Sequence, residues 1–328
     1  TGLVAGSAPN RRRCAPACIA LSCRGAYTRA MKRCATCALA LAGLLGTPLI
    51  PASTEPVPVA GAEPAFATPT TLDRIGRIVV PVTINDLGPF RMLVDTGANR
   101  TTITTDVARR LGLDYATAPT VVLNGVTGSA SVPVVRVGRM RAGDLVLDDQ
   151  QVPVVEPHLI GGADGILGIA GLRDQRLIVD FKRDLVTISR SRHARGDELR
   201  IRAVRVVGGL LGAHVRIGRV RALAVIDTGA EKTLGNRALQ EALRADAHAQ
   251  TTVYGTTEAT MIGDVAAAPD IRMDGTAFRH VIVTFGDFHI FDVWDLVDEP
   301  ALIIGMDVLG AMDTFMIDFR LAEIHVRS

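Results

Sequence analysis

The tetrapeptide Asp-Thr-Gly-Ala occurs twice, at Asp95 to Ala98 and at Asp227 to Ala230, each time after an apolar run and before a Thr-containing turn. A chain that sets the same carboxylate on the same glycine turn in two places is constrained to fold both places alike. The preceding runs, Met92-Leu93-Val94 and Leu223-Ala224-Val225-Ile226, are short and β-prone, as expected of buried strands that deliver the carboxylate to a tight turn. A helix-like segment follows each copy. In the first, Thr104 or Thr105 is placed to cap it, Val107, Ala108 and Leu111 give an apolar face, and Gly112 stops it. In the second, Asn236 is the cap, and Ala238, Leu239, Ala242 and Leu243 form the face.

The repeat runs further. Ile166-Leu167-Gly168 ends 73 residues after Asp95, and Ile303-Ile304-Gly305 ends 78 residues after Asp227. Both are followed by a closing pair of the same form: Ile178 to Phe181 with Val186 to Ile188, and Met316 to Phe319 with Ile324 to Val326. An internal duplication of about 120 residues accounts for all of this. Strand signals dominate both copies, at Ile78 to Ile84, Val132 to Val137, Leu145 to Leu147, Val152 to Val155 and Leu177 to Phe181 in the first, and at Leu210 to Ile217, His280 to Phe285, Ala301 to Ile304 and Phe315 to Phe319 in the second. The expected fold is mainly β: two pseudo-symmetric, barrel-like lobes with short helices.

With 328 residues, 48% of them apolar, the chain suffices for two compact domains of roughly 100–150 residues each. All five cysteines lie at Cys14, Cys18, Cys23, Cys34 and Cys37, so everything beyond position 37 must stand without disulfides or thiolate chemistry. The first 52 residues hold seven of the 36 basic residues and no Asp or Glu, which leaves 29 basic against 34 acidic residues, a net −5, in the remainder. The basic character belongs to the leader, and nothing in the body points to nucleic acid.

Met31-Lys32-Arg33 precedes an apolar stretch from Cys34 to Ile50 that ends at Pro51-Ala52, resembling a secretory signal peptide over 31–52, with 1–30 as an upstream extension. Cleavage is expected after Ala52, with Ala62 and Ala67 as alternatives, and the protein is expected to be secreted or periplasmic. An uncleaved leader anchoring the protein in a membrane, facing out of the cytoplasm, is the alternative. Residues 53–72, rich in Pro, Ala and Thr, read as a linker, 73–190 as the N-terminal lobe, 191–204 as a charged interlobe linker, and 205–328 as the C-terminal lobe. The Arg195-Gly196-Asp197 triplet is read as part of that linker, not as an adhesion motif.

Two carboxylates placed together can hydrolyse an amide without a metal or a nucleophilic side chain. One takes a proton from water and the other supplies one to the departing amine. At close approach they cannot both ionise, so the pair holds one proton and titrates as a unit. Gly97 and Gly229 permit the sharp turn and free backbone N–H groups for the carboxylates. Thr96 and Thr228 are placed either to cross-link the two turns through their hydroxyls or to satisfy their own turns.

These residues resemble those of the aspartic peptidases of the pepsin and retropepsin kind, over about residues 75–328. The resemblance implies Asp95 and Asp227 as the catalytic dyad, with Thr96, Gly97, Ala98, Thr228, Gly229 and Ala230 supporting it. It also implies that Ile166-Leu167-Gly168 and Ile303-Ile304-Gly305 pass beneath the turns as buttresses that do not touch substrate. Asp164-Gly165-Ile166-Leu167-Gly168 is similar to the pepsin form. Ala98 and Ala230, with Thr102 and Thr233 nearby, are closer to the retroviral form, and the short lobes resemble two retropepsin-sized halves fused in one chain. The family further implies a hairpin flap over the substrate. Candidates are Gly125-Val126-Thr127-Gly128 in the first lobe and Tyr254-Gly255 in the second, from either lobe or both, with Tyr254 as an ordinary surface tyrosine the alternative.

The expected activity is that of an aspartic endopeptidase acting on peptides or proteins without cofactor or metal, a monomer sufficing, at a pH optimum less acidic than where a Ser or Thr follows the Gly. An inactive peptide-binding scaffold of the same fold is the alternative. The seven histidines include no His-Glu-x-x-His, and Asp287-Phe288-His289 with Asp292 reads as a strand edge or loop, not a metal site. Gly161-Gly162-Ala163-Asp164-Gly165 lacks the Gly-Lys-Ser/Thr of a phosphate loop, and there is no Gly-x-Ser-x-Gly elbow.

Overall fold

A computed structural model describes residues 66–69, 71–72, 76–193 and 199–327. The expected signal peptide with its cleavage points, all five cysteines, most of the Pro/Ala-rich stretch and the Arg195-Gly196-Asp197 triplet lie outside the described residues.

In the first half, strands Ile78–Ile84 and Leu87–Val94 form a hairpin in which Val80 faces Met92 and Val79 faces Leu93. Their apolar residues leave no room for water: Ile78, Val80, Val82, Ile84, Met92 and Val94 are all buried. Strand Gly165–Leu167 lies parallel to the end of Leu87–Val94 and antiparallel to Thr102–Thr104, which pairs in turn with Leu145–Val155. The second half repeats this arrangement. Strand Val220–Ile226 follows Leu211–Ile217 in a hairpin and runs parallel to Ala301–Ile304, which is antiparallel to Leu234–Gly235, itself beside Ile282–Phe285. In each half the apolar-apolar-Gly strand is thus threaded between the strand that enters the Asp-Thr-Gly-Ala turn and the strand that leaves it. A strand bordered on both sides has no exposed edge, which explains why both segments are continuous apolar runs.

The helices follow from their caps. The Thr104 hydroxyl accepts the Val107 N–H at 3.3 Å to open Thr105–Arg110, which packs Val107 and Ala108 into the core and ends before Gly112, whose φ of +66° suits glycine. The Asn236 side-chain oxygen Oδ1 accepts the Leu239 N–H at 2.9 Å to open Arg237–Leu243, and Leu239 is fully buried.

The two closing hairpins do not seal their own halves separately. Strand Gln175–Asp180 pairs antiparallel with Thr314–Asp318 from the other half, centred on Ile178 opposite Met316. Leu185–Arg190 and Glu323–Arg327 flank this central pair, and the outer positions are taken by Phe66–Pro69 and Leu199–Arg202. The result is one six-stranded sheet to which both halves contribute in pseudo-symmetric fashion. Leu177, Phe315 and Ile317 are fully buried, so apolar burial joins the halves together with backbone pairing.

Four segments depart from expectation. The 53–72 stretch contributes strands Phe66–Pro69 and Thr71–Leu72, and the 191–204 stretch contributes Leu199–Arg202 and the start of Val204–Arg205, because each supplies an edge that the shared sheet or its neighbouring lobe pairs with. The strands expected at Leu145 to Leu147 and Val152 to Val155 are one continuous strand, Leu145–Val155, since the polar residues between them are carried by pairing with the long strand Gly128–Ala142. The Asp287 to Asp292 segment runs from a loop, one of the two expectations, into a helix, His289–Val293, in which Phe288 packs against Phe291 and Phe291 against Trp294. Among the described residues no helix is long and apolar enough to cross a membrane.

Candidate active site

The parallel strand pairs bring the two aspartates to equivalent positions. The Asp95 N–H donates to the Leu167 carbonyl at 3.1 Å and the Asp227 N–H to the Ile304 carbonyl at 3.1 Å. The next residue of each turn reaches into the other half. The Thr96 hydroxyl donates to the Ile226 carbonyl at 2.8 Å and accepts the Thr228 N–H at 3.1 Å, while the Thr228 hydroxyl donates to the Val94 carbonyl at 2.7 Å and accepts the Thr96 N–H at 3.1 Å. Both threonines are fully buried. Four reciprocal bonds in a dry setting fix the spacing of the turns, since losing either hydroxyl strands a buried N–H and a buried carbonyl.

Glycine is required at the third position because the opposite carboxylate occupies the space of a side chain. A Cβ on Gly97 would fall 2.4 Å from Cγ of Asp227, and one on Gly229 would fall 2.3 Å from Cγ of Asp95. Each glycine also holds its own aspartate: the Gly97 N–H donates to Oδ1 of Asp95 at 2.8 Å and the Gly229 N–H to Oδ1 of Asp227 at 2.8 Å. The Ala230 N–H adds a bond to the same Asp227 oxygen at 3.1 Å.

Asp227 is 8% exposed, and Asp95 is half-buried by accessible surface although protein atoms crowd its carboxylate. Loss of solvation is the main reason that both carboxyls titrate above the ordinary value of 3.8. Asp95 is raised well above it, because the Asp227 charge and the hydrogen bond between the two carboxyls add to burial, against the N–H groups of Gly97 and Ala98. On Asp227 burial is opposed by the bond from Asp95 and by the N–H groups of Gly229, Ala230 and Gly97. The two carboxyls therefore hold one proton between them and titrate as a unit.

Beneath the turns the buttresses match closely. The Gly168 N–H donates to the Thr101 hydroxyl at 3.2 Å and the Gly305 N–H to the Thr233 hydroxyl at 3.3 Å. The next N–H groups, of Ile169 and Met306, donate to the carbonyls of Ala98 and Ala230 at 2.9 and 2.8 Å. A Cβ on Gly168 would sit 2.4 Å from the Arg100 carbonyl oxygen, and one on Gly305 2.7 Å from that of Lys232, so both glycines are set by close backbone approach. Ile303 and Ile304 are buried away from the cleft, whereas Ile166 lines it, so the first buttress is not wholly shielded from a bound molecule.

Both candidate flaps are hairpins, and both cover the same cleft. Thr120–Gly125 pairs with Gly128–Ala142, and Ala249–Tyr254 pairs with Thr260–Ala267. Their tips meet: Thr127 and Thr257, both buried, bring their hydroxyl oxygens to 3.4 Å, and added Cβ atoms on Gly125 and Gly255 would meet the hydroxyls of Thr256 and Thr127 at 2.9 and 2.7 Å. Each flap is also held by the opposite half. Glu258 at the second tip meets His158 of the first half at 2.9 Å, and Asn124 of the first flap meets His289 of the second half at 3.4 Å. Tyr254 is 76% exposed and borders the cleft. Under the flaps lies a cavity of about 750 Å³ with Asp95 and Asp227 in its wall, room for several residues of an extended peptide.

A model of the aspartyl protease family matches residues 80–170 and 213–308, together more than half of the chain, and each match spans one Asp-Thr-Gly-Ala turn and its buttress glycine. The chain belongs to the aspartyl protease family. One match in each half is consistent with two fused retropepsin-like halves. No curated protein matches the chain significantly.

Several residues of this aspartyl protease family member carry roles that the sequence reading did not assign. Thr101, six residues after Asp95, is the counterpart of Thr233, six after Asp227; pairing Thr233 with Thr102 missed by one what counting from each Asp would have found. Asp307 fixes Thr233 through its N–H at 3.0 Å and its hydroxyl at 2.7 Å, a bond without a counterpart in the first half, where Ala170 stands. Arg77 and Trp294 border the cleft far from either motif, and only the folded chain brings them there.

Proposed function

We propose that this aspartyl protease is an active endopeptidase that hydrolyses peptide bonds with one aspartate from each half. The observation that carries the reading is the interlocked pair of turns, in which each glycine lies against the other half's carboxyl. The ionised carboxylate takes a proton from the attacking water, whose oxygen bonds to the scissile carbonyl carbon. The protonated carboxyl hydrogen-bonds the carbonyl oxygen as negative charge develops there. Collapse of the tetrahedral species breaks the C–N bond, and the proton gained from water passes to the leaving nitrogen. Substrate lies extended beneath the two flaps, bonded through its main chain.

Incubating the mature protein with a peptide library tests this: the expectation is internal cleavage that a statine-type inhibitor suppresses. Tight peptide binding without any cleavage would instead favour a scaffold. Localisation outside the cytoplasm belongs to the same proposal and rests on the leader alone. N-terminal sequencing of the exported protein tests it, and finding residue 31 intact would refute cleavage.

A further inference from the structure

The two arms that follow the catalytic turns differ in charge. In the second half the arm is Glu231-Lys232, whose side chains pair with each other at 3.4 Å. In the first half the same positions hold Asn99-Arg100, and Arg100 has no ion-pair or hydrogen-bond partner among the described residues. Both arms border the catalytic cleft, and the first also borders a second cavity, of about 660 Å³. Asn99, Arg100 and Gly208 belong to the walls of both spaces, so the second continues from the first.

That second cavity carries three arginines, Arg100, Arg173 and Arg205, and no Asp or Glu among the described residues that line it. Arg173, like Arg100, has no partner among the described residues. Arg205 is held in place: its Nη2 donates to the Phe319 carbonyl at 2.6 Å and to the Arg320 carbonyl at 3.3 Å. The buried ring of Phe319 contributes to the wall beside it. Three guanidinium groups around one concavity repel one another until an anion enters, and their planar donor forks match a carboxylate.

We infer that this arginine-lined cavity is a subsite for a carboxylate of the peptide substrate, an acidic side chain or a free C-terminus, which fixes the direction and register of the chain in an otherwise pseudo-symmetric cleft. The inference rests on the peptidase reading for its role, though not for the existence of the site. A two-fold cleft offers an extended peptide two opposite directions. A charged anchor at one end only removes that ambiguity.

The test uses the full chain and extended peptides in which a single Glu is moved through each position around the scissile bond, each compared with its Gln counterpart and with C-terminal acid and amide forms. A charge-assisted contact predicts kcat/KM about tenfold higher or more for Glu at one position, or for the free acid over the amide, and the two arms tell a side chain from a terminus. Arg173→Glu should shift the preference from Glu to Lys at that position, with unaltered thermal unfolding showing that the variant folds. Should it not fold, Arg173→Gln should shrink the preference severalfold. Equal rates for Glu and Gln at every position, and for acid and amide, would overturn the inference. If no peptide is cleaved, equilibrium binding of the same peptides decides: a Glu or free-acid preference lost in Arg173→Glu sustains the subsite while the peptidase reading falls, and equal binding overturns the subsite as well.

Discussion

At Gly97 and Gly229 a single methyl group is too much. The Cβ of alanine at 97 would overlap the Asp227 carboxyl carbon at 2.4 Å, and because the turn is fixed by the Thr96 and Thr228 bonds, the carboxylate must move instead. Displacement of a reacting group by about 1 Å costs on the order of 100-fold in rate, so Gly97→Ala should lose at least that in kcat while remaining folded by circular dichroism. A fully active alanine variant would show that the carboxyls are not in contact. The raised titration of Asp95 gives a second expectation, for stability. A carboxyl whose folded-state pKa is raised contributes its full stabilisation below the unfolded value, about pH 4, and loses it as pH climbs through the raised value. The melting temperature of Asp95→Asn relative to wild type should therefore increase from about pH 4 upward. A difference that is flat or falls with pH would contradict the burial argument. The duplicated turn and its buttresses were legible because they are contiguous repeats. The Thr101 hydroxyl was legible only by offset, and Asp307, Arg77 and Trp294 were not, because tertiary folding alone brings them to the site.

The flap hairpins illustrate what sequence leaves open at the scale of elements. Glycine and threonine at Gly125, Thr127 and Gly255 are ordinary loop residues, and nothing local says that two loops from different halves meet. The closing hairpins raise the same difficulty: their strands could be read, but not that Gln175–Asp180 would take Thr314–Asp318 as its partner, since pairing across halves leaves no local signal. The tip contact is directly testable. With hydroxyl oxygens of Thr127 and Thr257 3.4 Å apart, replacing both by Cys places the sulfurs within reach of a disulfide. In a form lacking the leader the folded body has no other cysteine. Oxidation should then abolish peptide hydrolysis by holding the flaps shut, and dithiothreitol should restore it, with each single Cys variant insensitive. Unchanged activity in a demonstrably cross-linked protein would show that substrate enters without parting the tips.

The six-stranded sheet is the seam of the molecule. Retropepsin-like halves are here joined in one chain, and the central pairing of that sheet, the interlocked threonines and the crossed flap contacts all run between them. Each chain thus carries both aspartates and both sides of the seam, and the specific activity should stay constant on dilution from micromolar to nanomolar protein. Activity that falls with dilution would mean that the working site needs a second copy. Fusion also frees the halves to diverge, and they have done so at Thr102 against Leu234, at Asn99-Arg100 against Glu231-Lys232, and at Ala170 against Asp307. Yet each half keeps its own Asp-Thr-Gly-Ala. The most direct test of the central claim is steady-state hydrolysis of a cleaved library peptide by wild type, Asp95→Asn and Asp227→Asn under identical conditions, each variant confirmed folded. Both substitutions should reduce turnover at least about 1,000-fold, since one carboxyl must be ionised to activate the water while the other stays protonated to bond the scissile carbonyl oxygen; normal turnover in either variant would contradict a dyad built from the two halves.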